Sequence, residues 1–125
     1  MLTKYKLILP GDATIIEAEC ELPREPGLDA LRAIIDPLIA LDGQHRYHEH
    51  VSVWASYEND HVYRAMDMFV DEEGLKLSRP RNERATTIYR AATMMGRTGL
   101  PVPHNPESLS YIVGPAILFS RRVWY

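Results

Sequence analysis

A chain of 125 residues has room for one compact domain and no length to spare for a second. Apolar residues make up 46% of it, enough to build a core without staples. The net charge of −3 argues against a nucleic-acid binder that works through bulk positive charge. Cys20 is the single cysteine, which excludes an internal disulfide and a cysteine-based zinc site and suits a reducing cytoplasm.

The first residues, MLTKYKLILPGD, hold a short apolar run interrupted by Lys4 and Lys6 and ended by Pro10-Gly11. That is too short for a signal peptide or a membrane span, so a cytoplasmic protein with no membrane association is expected. Leu2 to Leu9 reads as a strand and Pro10-Gly11-Asp12 as a turn. Thr14 to Glu21 alternates, placing Ile16, Ala18 and Cys20 inward and Glu17, Glu19 and Glu21 toward water. Lys4 and Lys6 are the natural cross-strand partners of those glutamates.

A helix is expected from Leu28, with Leu28, Leu31, Ile35 and Leu38 as its apolar stripe and Pro37 ending or kinking it. Asp42-Gly43 is the next turn signal. His48 to Ala55 and Val62 to Val70 read as a hairpin about Asn59-Asp60. A two-residue turn there sets Val51 opposite Met68 and Val53 opposite Met66; the other face carries His48, His50, Ser52 and Trp54 opposite Asp71, Phe69, Asp67 and Ala65.

Asp71-Glu72-Glu73-Gly74 is a further turn, and Leu75 to Leu77 a short extension of the strand before it. The second helix is predicted from about Asn82 to Met95, with Asn82 as its cap, Ala85, Ile88, Tyr89 and Ala92 as its inner stripe and Gly96 at its end. A proline-rich loop, Gly99 to Ser108, leads to the most apolar strand, Tyr111 to Ser120, where Pro115 marks an edge or a bulge near its start. The order β-β-α-β-β-α-β, with strands arriving mostly in hairpins, predicts a single α+β domain over residues 1–125. Its sheet should be antiparallel or mixed, with the helices on one face.

The segment FVDEEG, then Leu77, Pro80, Asn82 and Ala85, then Ile112-Val113-Gly114 opening a terminal apolar strand, resembles a small domain of unknown function found in bacteriophages, plasmids and bacterial genomes. The strand-turn-strand opening and the PGLDALRAII helix are similar too, so the resemblance covers most of the chain. The stretch His45 to His50 and the tail RRVWY fall outside it. The resemblance implies an accessory protein of a mobile element and brings no catalytic residues with it.

Three sets of residues are candidates for a site. Arg79, Arg81 and Arg84 gather where the second helix begins, the wrong end of a helix for cations, and a bound phosphate or carboxylate would relieve that conflict, with Arg90 farther along the helix as a further candidate. The alternative is surface pairing with Glu72, Glu73 and Glu83. His48 and His50, with Asp67 or Asp71 across the hairpin, carry nitrogen and oxygen donors for a metal ion; ordinary exposed histidines are the competing reading. Arg121, Arg122, Trp124 and Tyr125 are residue types favoured in protein interfaces, or else a tail that packs on its own domain. Cys20 reads as inert packing, the serines have no nucleophile elbow and no phosphate-binding glycine loop is present.

No catalytic constellation or cofactor is therefore expected. The leading expectation is a non-enzymatic binding protein of a phage or mobile element, acting on a host protein such as a defence component. The alternatives are a homo-oligomeric binder of a small anionic ligand such as a nucleotide or cyclic nucleotide, and a metal-dependent enzyme at His48, His50 and Asp67. Nucleic acid is disfavoured as a partner on charge grounds.

Overall fold

A computed structural model of the protein describes residues 2–10, 15–39, 48–58, 60–71, 81–94 and 111–123. The elements are β1 (Leu2–Ile8), β2 (Ile15–Glu21), α1 (Leu28–Ile39), β3 (His48–Ala55), β4 (Arg64–Asp71), α2 (Glu83–Met94) and β5 (Ala116–Phe119). They form a small α+β domain with one five-stranded sheet in the order β2-β1-β5-β4-β3. Every pairing is antiparallel. The two hairpins make the two halves, and β5 closes the sheet by entering between them.

That central place explains why β5 is the most apolar strand: all four of its residues are buried. β4 is buried as continuously from Met66 to Val70. Because successive strand residues point to opposite faces, a run without alternation needs cover on both sides. Leu31 and Ile35 of α1 pack with Leu7, Phe69, Ile117 and Phe119. Ala85 and Ala92 of α2 pack with Ile8, Met66, Met68, Val70 and Leu118. Met68 and Phe69 belong to different clusters, as do Ile117 and Leu118. The helices therefore cover opposite faces, which corrects the expectation that both lie on one.

Several local readings match the structure. The β3–β4 register sets Val51 against Met68, Val53 against Met66 and Ser52 against Asp67. The turn is longer than the two residues supposed, since the connection runs from Ser56 to Tyr63, but it preserves the same pairing. In the first hairpin Lys4 lies opposite Glu19 and Lys6 opposite Glu17. Ile16 departs from its expected inward role: β2 is an edge strand and Ile16 is 49% exposed. α1 continues past Pro37 to Ile39, with Leu38 packed against the core beneath its last turn.

Pro115 does mark an irregularity, though not at an edge. Val113 makes an isolated bridge to Arg81, Gly114 turns the chain with φ 73°, and the regular strand begins only at Ala116. A positive φ is where glycine is needed. The Asp42-Gly43 and Glu72–Gly74 turns, the Leu75–Leu77 extension and the 99–108 loop lie outside the described residues.

Candidate ligand-binding groove

α2 lies against β3, so it covers only part of its face of the sheet. Beside it, over β1 and β5, runs a groove of about 650 Å³. Its sheet side is built from Lys6, Ile8, Ile15 and Leu118. Arg84, Thr87, Ile88 and Ala91 of α2 form the opposite wall, and their spacing puts them on one side of the helix. Trp54, Ala55, Ser56 and Tyr63, about the two ends of the β3–β4 connection, and Glu83 at the start of α2 complete the lining. Tyr63 is 48% exposed. A concave, mostly apolar surface with a few polar groups is the usual form of a small-molecule site.

The structure divides the arginine cluster. Arg84 is exposed and lines the groove, and among the described residues it has no ion-pair partner. Arg81 is otherwise engaged: its Nε lies 2.8 Å from Glu83 Oε1, and its guanidinium sits 4.9 Å from the Tyr111 ring centroid. Arg90 is half-buried farther along α2 and is not part of the groove wall. Arg79 lies outside the described residues. Sequence reasoning found Arg84 but missed Lys6, Trp54 and Tyr63. Lys6 read only as a partner for glutamates, and no local pattern announces where a helix will sit on its face of the sheet.

Lys6 has a second role at the groove's end. Its ammonium donates to the Tyr57 carbonyl and lies 4.2 Å from the Tyr57 ring centroid. Nearby, Asp60 orders the connection. Its Oδ1 accepts from the Val62 N–H at 3.0 Å and from the Ser56 hydroxyl at 3.0 Å. The Val62 N–H, then that hydroxyl, hold the Asp60 carboxyl below its ordinary pKa.

On the α1 face, His50 and Asp67 do come together, with Nε2 and Oδ1 2.6 Å apart. The other Asp67 oxygen accepts from the buried Val123 N–H at 2.6 Å. The pair thus anchors the chain's last strand exit. His48 and Asp71 are opposite in register, but their side chains lie outside the described residues. Among the described residues no group of three or more His, Cys, Asp or Glu side chains is gathered as a metal shell would be.

The tail is tied to its own domain as far as it is described. Arg121 donates from Nε to Thr3 Oγ1 at 3.1 Å, and from its terminal nitrogens to the carbonyls of Arg24 and Pro23, both at 2.8 Å, and of Arg122 at 3.0 Å. Val123 is buried, while Arg122 is exposed; Trp124 and Tyr125 lie outside the described residues. Cys20 is half-buried and donates to the Thr3 carbonyl at 3.7 Å. Burial raises its thiol pKa more than nearby Arg121 lowers it, with Glu21 adding to the rise, as suits a packing thiol.

Among the described residues no helix is long and apolar enough to cross a membrane. No protein-family model, no curated protein and no solved structure matches the chain, so the resemblance noted in the sequence gains no support from those comparisons.

Proposed function

We propose that the protein is a non-enzymatic binder of a small anionic ligand with an apolar or aromatic body, of the nucleotide class. The observation that carries this reading is the groove, whose lining sets Arg84 beside the apolar residues Ile8, Ile15, Ile88 and Leu118, with the carboxylate of neighbouring Glu83 already paired with Arg81. Arginine near the start of a helix opposes the helix dipole, and an oxyanion beside it removes that conflict and gains charge-assisted hydrogen bonds. Lys6 adds a second cation at the groove's sheet side. A ligand of this kind places its flat body on those apolar residues and its charged group between the two cations. This reading stands ahead of a protein partner held by the tail, because Arg121 and Val123 already serve the domain.

A panel of nucleoside phosphates and cyclic nucleotides in a thermal-shift assay tests it, since a bound ligand raises the melting temperature by mass action. Arg84→Glu is the matching variant. It is expected to weaken binding by roughly 10- to 100-fold, the loss of a charge-assisted hydrogen bond, without lowering the melting temperature of the free protein. A carboxylate in the first turn suits the helix dipole, so the two effects have opposite signs. No shift with any phosphate-bearing compound, or unaltered binding by Arg84→Glu, defeats the reading.

A further inference from the structure

The sheet ends in β2 on one side and β3 on the other, and the two edges differ. An edge strand carries a row of backbone groups open to pairing with another chain, and soluble proteins guard such edges with charges, proline or bulges. β2 is guarded: Glu17, Glu19 and Glu21 are exposed at alternate positions of a seven-residue strand. β3 is built differently. Its eight residues, HEHVSVWA, include no proline, lysine or arginine, and each has its own partner on β4, so no bulge interrupts them. Val51, Trp54 and Ala55 are half-buried and Ser52 is exposed. Among the described residues β3 pairs with β4 alone.

Symmetry decides what fits each edge. Two copies that pair edge to edge in antiparallel fashion are related by a twofold axis perpendicular to the sheet, and that rotation carries each face onto itself. Odd-numbered residues therefore meet odd-numbered ones, and even meet even. On β2 this rule sets glutamate against glutamate: Glu17 meets Glu19 when the axis passes Ala18, and Glu17 or Glu19 meets its own copy when the axis passes through it. Like charges directly opposite one another work against pairing.

On β3 two registers use nearly the whole strand. An axis at Val51 brings Val53 against Glu49. An axis at Ser52 brings Val51 against Val53, His50 against Trp54, Glu49 against Ala55 and Ser52 against its own copy. The second register matches apolar with apolar on one face and aromatic with aromatic on the other, and sets no like charges opposite. We propose that β3 is the dimerisation edge of this protein, pairing antiparallel with β3 of a second copy about an axis at Ser52. The two five-stranded sheets then join into one. The inference stands apart from the groove reading, since no ligand takes part in it.

Sedimentation velocity over about 1–100 µM is expected to show a species of twice the 14.3 kDa chain mass, and deuterium uptake by the β3 amides should slow as concentration rises. Ser52→Lys puts like charges at the axis, at a side chain exposed in the single chain, and should weaken the dimer at least about tenfold while the chain stays folded. Ser52→Cys in a Cys20→Ala background reads the register directly. Opposite residues of paired strands lie within disulfide reach, so mild oxidation should give a covalent dimer. Ile16→Cys, exposed on the β2 edge, should give none. A wild type that stays monomeric throughout the range overturns the inference. So does a dimer that Ser52→Lys leaves intact, one that Ser52→Cys fails to cross-link, or one that Ile16→Cys cross-links as readily.

Discussion

Asn82→Ala is expected to cost roughly 3–5 kcal/mol, a large share of the 5–15 kcal/mol that holds a small domain together. Asn82 is fully buried and uses every polar atom it has. Its Oδ1 accepts from the Ala85 N–H at 3.1 Å, as a helix cap should. Its Nδ2 donates to the carbonyls of Ile8, at 2.8 Å, and Gly114, at 2.9 Å. Its own N–H donates to the Ile112 carbonyl at 2.7 Å. One side chain thus joins the start of α2, the end of β1 and the turn before β5. Loss of a cap alone accounts for about 1 kcal/mol, and the rest comes from the hydrogen bonds lost to two carbonyls in a buried setting. Asn82→Asp separates the two contributions. Asp caps helices as well as Asn does, but its second oxygen would face two carbonyl oxygens and repel both. Urea unfolding should therefore show Asn82→Asp at least about 2 kcal/mol below wild type. Equal stability of the two would reduce Asn82 to a simple cap.

Asn82 also shows where the sequence is readable and where it is not. Its capping role follows from neighbours within a few residues: a polar side chain ahead of Ala85, Ile88, Tyr89 and Ala92 at helical spacing. The carbonyls it ties together belong to Ile8 and Gly114, far away in the chain, and no local pattern points to them. The β3–β4 register was legible for the same local reason, because alternation in two adjacent strands fixes which residues face each other. Strands that arrive mostly in hairpins point to an antiparallel or mixed sheet with its helices on one face. β5 breaks that logic by entering between the hairpins, and only its place in the sheet shows that both faces need cover. The groove is harder still. It depends on where α2 sits on its face of the sheet, so Arg84 was legible by type and position while Lys6 and Tyr63 were not.

Asp67→Ala carries the second large effect, about 3–5 kcal/mol, because it breaks a buried charged contact from one side. Asp67 is 1% exposed, and taking a carboxylate out of water costs several kcal/mol unless its oxygens are satisfied. Both are: His50 meets one and the Val123 N–H meets the other, each at 2.6 Å. Val123 is itself fully buried beside Phe69 and Phe119, so its amide cannot turn to water when the carboxylate goes. Asp67→Asn keeps the shape but has one acceptor oxygen for two contacts, and should cost a smaller 1.5–3 kcal/mol or so. Paired with His50→Ala in a double-mutant cycle, Asp67→Ala should show a coupling of about 1–3 kcal/mol, whereas additive losses would mean that the 2.6 Å contact contributes nothing of its own. Hydrogen exchange supplies the independent check. The Val123 amide should exchange much faster in Asp67→Ala than in His50→Ala, since only the first removes its acceptor. Equal protection of that amide in both variants would show that apolar packing, and not this carboxylate, holds the end of the chain against the sheet.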